Sequence, residues 1–547
     1  MFKRLSVMFI CICFAFILLG ARLGWLQLVR GEAYAARAES QSVSAINLKE
    51  YARGNFWDCN SRKLTGRKMP ALVVFPTMVK DEDAANYLSN ILNLTEAEIA
   101  SKLAKCGSKP FILARNLTNE QTEALAISTP DGFFVIPMEI RYSSTARASH
   151  LIGFVGESGP EEIASGVTSK IIGKSGLEKQ YENYLQGGTS AKAAMVLNES
   201  GEELLESLML IPAPEQDTSC NVVLTINRDY QEIAEQAFAG KSGAVVIMDV
   251  QNGDVLAMVS APEYDQNLGQ VGGISGDSYI NKALVYYPPA SVFKIILAAA
   301  ALDLQIKTDD DFMCNGGYEL SNGHIVSCWK EEGHGKEDIG LALANSCNPY
   351  FTDLGQKLGG ETIIAYANKF GLREQKLIGY SLPAYYKTIN FNPGVVGDVA
   401  NASIGEKGIR LSPLMVAQMF SVVANGGISV TPRVVKAIVD QNGSTIKSFA
   451  SVKGSRAIND KTAAELKSML TLAVTGGTGT NAANNVVSTA GKTGTSQEQG
   501  VWFAGFAPAE DPRWAVAVYV QNGNSGGRDG AVPFREIVSR LAILEGI

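Results

Sequence analysis

A serine and a lysine stand three residues apart where an apolar helix is predicted to begin. Ser291 and Lys294 lie in "PPASVFKIILAAAAL", residues 288–302. Positions i and i+3 share one face of a helix, so the hydroxyl could come within hydrogen-bond reach of the amine. Burial lowers the pKa of a lysine, and a neutral lysine can accept the proton of a serine. Backbone N–H groups at the helix start could also stabilise an oxyanion. The pair therefore predicts a serine nucleophile with a lysine base.

The same spacing occurs twice more in the chain, from Ser327 to Lys330 and from Ser444 to Lys447. Ser444 is predicted to begin a hairpin strand, in which positions i and i+3 point to opposite faces. Ser327 lies in a stretch predicted to be a loop. Only Ser291 opens a long apolar helix, although a serine there could also serve simply as a helix cap.

A second short motif, "ALANSCNPYF", places Ser346 and Asn348 on either side of one residue, between two helical patterns. Pro349 suits the first position of the following helix. A turn at this place could present a hydroxyl and a carboxamide to one cavity, although the motif alone is too short to be specific.

The third motif, "STAGKTGTSQ", is a strand-like run near the C-terminus. It contains Lys492, Thr493, Gly494 and Thr495. Glycine in a strand lets a ligand approach the backbone at a sheet edge. Lys492 offers a positive charge for a carboxylate, so the run is predicted to bind an anionic substrate group.

The three motifs in this order resemble the signature of penicillin-binding proteins and serine β-lactamases. The whole chain is similar to the class B, monofunctional penicillin-binding proteins. The segments that carry this wider similarity are "RGNFWDCN", "ASHLIGFVG", "GKSGLEKQYENYLQG", "VVLTINRDYQ" and "ASIGEKGIRLSPLMVAQMFSVVANGG". The chain departs from the family pattern at Phe56, Cys59 and Asn60, and Asn227 replaces an aspartate.

This resemblance implies a peptidoglycan D,D-transpeptidase without a cofactor. Ser291 would attack the carbonyl of a terminal D-Ala-D-Ala, release D-Ala and pass the acyl group to an amine of a neighbouring stem peptide. Lys294 would be the base for Ser291. Ser346 would relay the proton to the leaving amine, and Asn348 would hold the substrate amide. β-Lactams would acylate Ser291 as stalled pseudo-substrates.

The resemblance also assigns roles to the third motif. Lys492 would tune Ser346 and attract the substrate carboxylate, which the hydroxyls of Thr493 and Thr495 would bind. The backbone N–H groups of Ser291 and Thr495 would form the oxyanion hole.

Two other functions stay open. A membrane-anchored β-lactamase would share the motifs but must deacylate quickly, and β-lactamases are usually small secreted enzymes without a pedestal. A catalytically weak scaffold of a cell-wall synthesis complex would keep the fold, but the intact motifs argue against it.

The resemblance further implies a membrane glycosyltransferase partner and a role in division, elongation or sporulation.

Two cysteines lie at or near the second motif. Cys347 stands between Ser346 and Asn348, and Cys328 lies upstream in "IVSCWKEEGHG". If both border the cleft, a disulfide formed outside the cell would distort the motif. The pair therefore suggests a redox-gated active site, which would fit the sporulation branch. The alternative is two unlinked, small apolar side chains.

A metal site is not predicted. Cys314, His324, Cys328 and His334 are close in the sequence. Their spacing matches no regular zinc pattern. We therefore expect His334 to be a structural residue.

The net charge and the N-terminal segment indicate which partners the protein can bind and where it lies in the cell. A net charge of -7 over 547 residues argues against a nucleic-acid-binding protein. Residues 5–29 are apolar apart from Arg22 and long enough to span a bilayer. Lys3 and Arg4 favour an N-in orientation, with the rest of the chain outside the cytoplasm. No small-x-small cleavage site follows, which favours an uncleaved single-pass anchor over a signal peptide.

The order of predicted strands and helices along the chain predicts an α+β protein. Strand patterns at both ends of the C-terminal region, with helices between them, predict one antiparallel sheet with a helical subdomain, a penicillin-binding/serine β-lactamase-like domain on an elongated α+β pedestal. Residues 30–52 are predicted to be helical. The predicted divisions are a cytoplasmic terminus (1–4), a transmembrane anchor (5–29), a stalk and pedestal (30–200), a linker (201–220) and a transpeptidase domain (221–547).

Overall fold

The computed structural model describes residues 2–28, 30, 43–81, 83–160, 171–196, 208–214, 217–267, 276–306, 312–382, 387–452, 454–498 and 500–547. The chain divides into two units, each discontinuous in sequence. The first unit contains residues 1–52, 66–144 and 188–217, and the second contains residues 53–65, 145–187 and 218–547. The domain boundaries inferred from composition remain predictions.

Both units mix helices and strands. The strands are β1 (Val43–Asn47), β2 (Phe56–Trp57), β3 (Arg67–Val74), β4 (Phe111–Ala114), β5 (Phe133–Ile140), β6 (Val155–Glu157), β7 (Ile171–Gly173), β8 (Lys192–Val196), β9 (Met209–Ile211), β10 (Asn221–Leu224), β11 (Gly243–Asp249), β12 (Val255–Ala261), β13 (Phe312–Cys314), β14 (Gly317–Glu319), β15 (Ile325–Ser327), β16 (Gly335–Glu337), β17 (Val435–Val439), β18 (Thr445–Ser448), β19 (Ala490–Thr495), β20 (Val501–Ala507) and β21 (Trp514–Val520). The α-helices are α1 (Phe2–Leu28), α2 (Ala84–Ser89), α3 (Glu96–Lys105), α4 (Asn119–Ile127), α5 (Ser149–Ile152), α6 (Gly176–Gln180), α7 (Glu182–Leu185), α8 (Arg228–Ala237), α9 (Lys294–Asp303), α10 (Ile339–Ala344), α11 (Asn348–Leu358), α12 (Gly360–Lys369), α13 (Val396–Ser403), α14 (Pro413–Ala424), α15 (Asp460–Thr475) and α16 (Ala531–Glu545).

The N-terminal helix α1 is the candidate membrane span. Its segment Met8–Leu26 has a mean hydropathy of 2.2 and is long and apolar enough to cross a membrane. Among the residues that the structure describes, it is the one helix that meets both conditions. Side chains such as Phe9 and Phe16 are exposed along it, which suits contact with lipid.

The segment after α1 differs from its prediction. Within the predicted helical stalk, residues 31–42 lie outside the described residues, and Val43–Asn47 forms strand β1 antiparallel to β8. The helix prediction is therefore wrong there, because pairing with a distant strand overrides local pattern. In the predicted linker, residues 201–207 and 215–216 are not described, while β9 pairs with β8.

The first unit is organised around strand β3, which lies between β4 and β5 in an antiparallel sheet. Successive side chains of a strand point to opposite faces. Leu72 and Val74 pack with α2, α3 and α4, whereas Val73 packs on the other face with Met195 of β8. This α+β arrangement agrees with the predicted fold class.

The second unit contains a five-stranded antiparallel sheet in the order β12-β11-β21-β20-β19. It confirms the predicted sheet made from strands at both ends of the region. Strands β11 and β12 form an antiparallel hairpin, and Gly253 in the turn between them has a φ of 78°. Helices α8 and α16 pack on one face, and α14 packs on the sheet as well. Strand β19, which carries the third motif, lies at the sheet edge.

Helix α9 carries the first motif into the interior. It is buried from Lys294 through Ala301 and contacts α10, α11, α12 and α15. A helix that is apolar on all sides is expected to be buried in this way. Two antiparallel pairs, β13 with β16 and β14 with β15, lie between α9 and α10 in the chain. Sequence patterns missed them because three-residue strands are too short to show an alternation.

Candidate active site

The first motif begins in a tight turn rather than in the α-helix itself. Ser291 belongs to the 3-10 turn Ala290–Phe293, and α9 starts at Lys294. Ala290 has a left-handed φ of 49°, and its N–H donates to the carbonyl of Gly405 at 2.9 Å. A Cβ atom at Gly405 would lie 2.0 Å from the Ala290 carbonyl oxygen. The glycine therefore permits the close approach that holds the turn at the serine.

Lys294 is completely buried beneath the second motif. Its Nζ donates to the backbone carbonyl of Ser346 at 2.8 Å and to Oδ1 of Asn348 at 2.7 Å, with the Ser346 Oγ at 3.5 Å. Burial lowers the pKa of this lysine to about 7. A neutral fraction is then present near neutral pH, as a general base requires. Within the described residues, the hydroxyl of Ser291 is not among its hydrogen-bond partners.

The second motif forms a tight turn between α10 and α11. Ser346 has a left-handed φ of 57°, and the N–H of Cys347 donates to the carbonyl of Ala342 at 2.9 Å. Pro349 stands at the start of α11, as predicted. The amide of Asn348 donates to the carbonyl of Ser327 at 3.2 Å. The turn thus fixes a hydroxyl and a carboxamide around one lysine.

The third motif lies on edge strand β19. Lys492 is fully buried, and its Nζ donates to the carbonyl of Thr493 at 3.0 Å. Burial, followed by the positive charge of Lys294, lowers the pKa of Lys492 well below its usual value. The Thr493 hydroxyl shares a 2.7 Å hydrogen bond with Thr478. A Cβ atom at Gly494 would lie 3.0 Å from the Pro289 carbonyl, so glycine allows close packing of the strand against the serine turn.

One cavity of about 420 Å³ brings the three motifs together. Its lining residues are Ser291, Trp329, Ser346, Asn348, Ile404, Glu406, Thr478, Thr493, Thr495, Gln497, Ser525 and Gly527. Ser291, Ser346, Asn348, Thr493 and Thr495 thus face one space. The two lysines lie in the protein beside it rather than in its lining.

Several lining residues were missed from the sequence. Glu406 is the most informative, because its carboxylate accepts hydrogen bonds from the Ser496 hydroxyl at 3.3 Å and the Gln497 N–H at 3.4 Å. Burial raises the pKa of this carboxyl group. The signal was available, since Glu406 lies in the family-like segment "ASIGEKGIR". Trp329 could not be predicted to line the cavity, because a single tryptophan in a loop belongs to no motif or periodic pattern.

A second cavity of about 250 Å³ adjoins the first. The two share Asn348, Ile404, Glu406 and Gln497. The residues that contribute charge or an imidazole to the second cavity are His324, Glu406, Lys407 and Glu498. A polar ligand could therefore extend from one cavity into the other.

Cys328 and Cys347 are free thiols. A hydrogen bond between them lowers the pKa of the Cys328 thiol and raises that of the Cys347 thiol. Cys314 and His334 join them, and the ligating atoms of all four residues lie within 4.8 Å of one another. The redox gate at Cys328 and Cys347 remains a prediction. The four residues grouped from the sequence included His324, whereas the fold groups Cys347 with Cys314, Cys328 and His334.

Comparison with known proteins gives matches over most of the chain. Residues 243–539 match the family described as penicillin binding protein transpeptidase domain. Residues 49–213 match the family described as penicillin-binding protein dimerisation domain.

Two curated relatives span nearly the whole chain. Stage V sporulation protein D of Bacillus subtilis (strain 168) is 28% identical, over 95% of this chain and 82% of that protein. Peptidoglycan D,D-transpeptidase MrdA of Haemophilus influenzae is 26% identical, over 94% of this chain and 87% of that protein.

Solved structures share the fold. Penicillin-binding protein PBP2 of Helicobacter pylori superposes with a TM-score of 0.67 at 24% identity, covering 92% of this chain and 100% of that chain. The imipenem acyl-enzyme of penicillin-binding protein A from M. tuberculosis has a TM-score of 0.55 at 27% identity, over 60% and 81% of the two chains.

Proposed function

The chain belongs to the penicillin-binding protein transpeptidase family, and on that premise we propose that it is a serine D,D-transpeptidase that cross-links peptidoglycan stem peptides. The observation that carries the proposal is the single cavity onto which Ser291, Ser346, Asn348, Thr493 and Thr495 converge. A nucleophile, a relay hydroxyl, an amide clamp and two carboxylate-binding hydroxyls are the groups that this reaction needs.

In the acylation step, the Ser291 Oγ attacks the carbonyl of the penultimate D-Ala. Its proton passes to the neutral amine of Lys294, whose lowered pKa supports this role. The proton then reaches the leaving D-Ala nitrogen through the Ser346 hydroxyl, 3.5 Å from the lysine Nζ. The peptide bond breaks, an ester to Ser291 forms, and D-Ala departs.

In the transfer step, the amine of a second stem peptide attacks this ester. The amine loses a proton through the same groups, and Ser291 regains one as the ester bond breaks. The adjoining cavity provides a route for the acceptor, because the carboxylates of Glu406 and Glu498 complement an ammonium group. The shared Asn348 would hold the donor amide at the junction.

The substrate carboxylate would bind at strand β19. Hydroxyls of Thr493 and Thr495 line the cavity, whereas the Lys492 amine lies behind Thr493. We therefore assign the direct contacts to the threonines, and assign to Lys492 a hydrogen bond that positions Thr493 from behind. The backbone N–H groups of Ser291 and Thr495 would stabilise the oxyanion.

Helix α1 would anchor the protein with its N-terminus in the cytoplasm, since Lys3 and Arg4 precede the apolar segment. The catalytic unit would then face the peptidoglycan. A membrane glycosyltransferase that supplies uncrosslinked strands is the partner that we propose for this reaction.

The test is the intact mass of the full-length protein in detergent after incubation with penicillin. We expect a stable adduct on the wild type and none on Ser291→Ala. Ser444→Ala is the matched control, because it removes the serine of another S-x-x-K motif, and it should acylate like the wild type. Release of D-Ala from a stem-peptide donor, with an amine acceptor present, completes the test.

An adduct on Ser291→Ala would show that another residue is the nucleophile. Rapid turnover of a chromogenic cephalosporin by the wild type would indicate a β-lactamase. Absence of both adduct and turnover would leave a scaffold as the function.

A further inference from the structure

We propose that the second cavity selects an acceptor amine whose own carbon carries a carboxylate, the arrangement at the side-chain end of diaminopimelate. This inference rests on the proposed transpeptidase function and deepens it, because it names the chemical class of the acceptor. The cavity has a volume of about 250 Å³ and adjoins the catalytic cavity. Carboxylates, an ammonium group and an imidazole line it together, so it complements a ligand that carries charges of both signs.

The negative charge available to the acceptor amine is that of Glu406. This residue lines both cavities, and its carboxylate accepts hydrogen bonds from two neutral groups, the Ser496 hydroxyl and the Gln497 N–H. Glu498 instead forms an ion pair with Arg410 at 2.8 Å, which offsets its charge. An amine held by Glu406 would therefore lie at the junction of the cavities and face the acyl group.

The groups that suit a carboxylate belong to the second cavity alone. Among the described residues, Lys407 and His324 line this cavity and not the catalytic one. Lys407 is exposed and follows Glu406 directly in the chain, so the two opposite charges lie close together. An ammonium group and an imidazole N–H can both donate to a carboxylate. A carboxylate on the carbon of the amine would therefore point from the junction into the second cavity.

The remaining lining suits the aliphatic part of such an acceptor. Leu320, Ile325, Val326 and Ala400 contribute apolar surface to the cavity. The side chain of Ile325 is 59% exposed, and a bound methylene chain would remove part of this apolar surface from water. The cavity thus offers an apolar wall between two polar ends.

Other amines that could accept the acyl group present different charges. The side-chain amine of lysine has no carboxylate on its carbon, and the terminal amine of a peptide bridge has an amide there instead. Either acceptor could use Glu406, but it would offer nothing to Lys407 and His324. Amidation of the diaminopimelate carboxylate would remove the charge while keeping the skeleton. The lining of both signs therefore favours the free carboxylate.

The transfer step itself follows ordinary amine chemistry. The bound ammonium group loses one proton to solvent, and the neutral nitrogen attacks the acyl carbon of the ester on Ser291. The C–N bond of the new amide forms, the C–O bond to Ser291 breaks, and a proton of the nitrogen passes through Ser346 and Lys294 to the serine oxygen. Glu406 and Lys407 take no part in these bond changes; they determine which amine is held and how it is oriented.

The test measures cross-linking by the full-length protein in detergent, with one stem-peptide donor ending in D-Ala-D-Ala. The acceptors are L-Ala-γ-D-Glu-X peptides in which X is meso-diaminopimelate, the same residue with its side-chain carboxylate amidated, or L-lysine. We expect kcat/KM for cross-linking to be about tenfold or more higher with the free carboxylate, as loss of a charged hydrogen bond predicts. Equal use of the free and amidated acceptors, or a preference for lysine, would overturn the proposal.

Substitutions assign the selectivity to the second cavity. Lys407→Gln should raise KM for the diaminopimelate acceptor about tenfold with little change in kcat, and should narrow the difference between the free and amidated acceptors. Lys461→Gln is the matched control, because Lys461 is a largely exposed lysine on α15, and it should keep the preference. Glu406→Gln should weaken the use of all three acceptors. Unchanged selectivity in Lys407→Gln would overturn the assignment to this cavity.

The comparison of acceptors uses the wild type, so a variant that fails to fold does not affect it. Failure of this inference also differs from failure of the proposed function. Release of D-Ala and penicillin labelling of Ser291 without acceptor selectivity would leave the transpeptidase intact and overturn the acceptor class. Absence of both D-Ala release and labelling would overturn the proposed function, and this inference with it.

Discussion

At the scale of single residues, the site depends on two buried amines. Lys294 and Lys492 are both fully buried, and desolvation makes each a weaker base than an exposed lysine. Lys294 lies among the oxygens of Ser346 and Asn348, so it can exchange protons with the relay hydroxyl. The chemistry thus rests on amines that the protein keeps away from water.

The pH dependence of acylation follows from Lys294. A lysine base must be neutral, and its pKa is lowered to about 7. The rate of acylation by a fluorescent penicillin should rise about tenfold per pH unit below about pH 7 and level off above it. The measurement is the rate of labelling, from reactions stopped at successive times, at pH values below and above 7. Thermal unfolding at each pH is the control for folding.

Lys294→Arg keeps the positive charge but supplies no neutral base. It should label at least about 100-fold more slowly than the wild type. A flat pH profile in the wild type, or normal labelling of Lys294→Arg, would contradict the assignment of the base.

At the scale of elements, the position of the serine depends on how its turn is held. The turn Ala290–Phe293 is bound on one side through Gly405. On another side, the indole N–H of Trp502 on β20 donates to the carbonyl of Pro288 at 2.9 Å. Neither contact comes from the motif, so the motif requires a frame from distant segments.

Gly405→Ala should damage this frame. Gly405 has a φ of 73°, and the added Cβ atom would lie 2.0 Å from the Ala290 carbonyl oxygen. We expect a loss of about 2 kcal/mol or more in the free energy of unfolding and slower penicillin labelling of Ser291. Denaturant unfolding and the labelling rate measure the two effects.

Gly240→Ala is the matched control. Gly240 has a φ of 75°, and a Cβ atom there would meet no atom within 4 Å. It should incur only the backbone strain of about 1 kcal/mol and label normally. Equal effects of the two substitutions would show that the contact between Gly405 and Ala290 is unimportant.

At the scale of the whole molecule, the chain combines one apolar N-terminal helix with two α+β units. The apolar segment Met8–Leu26 suits a bilayer because of its length and composition. The candidate membrane span is therefore α1, whereas the candidate active site lies in the second unit.

Deletion of residues 2–28 should release the protein from membranes without abolishing penicillin labelling. The physical reason is that the free energy of membrane insertion comes from the apolar helix. Fractionation of cells followed by labelling measures both properties. In the full-length protein, protease added outside intact spheroplasts should cleave the catalytic unit; protection of that unit would contradict the N-in orientation.

The sequence by itself determined the apolar N-terminal helix, the order of the three motifs and the α+β class. These features are local: an apolar run, the residues of a turn and the alternation of a strand are all set by neighbours in the chain. Strands β11 and β12 lie near the start of the C-terminal region and β20 and β21 near its end, as the strand patterns at both ends of that region predict.

Only the tertiary structure decided what the side chains meet. The spacing of the motif predicts that Lys294 contacts Ser291. In the folded chain the Lys294 amine instead donates hydrogen bonds to Ser346 and Asn348. Cys347 joined Cys314, Cys328 and His334 through two pairs of short strands, and pairing with β8 made residues 43–47 a strand instead of a helix. Contacts between residues far apart in the chain depend on packing of the whole unit, which no local pattern encodes.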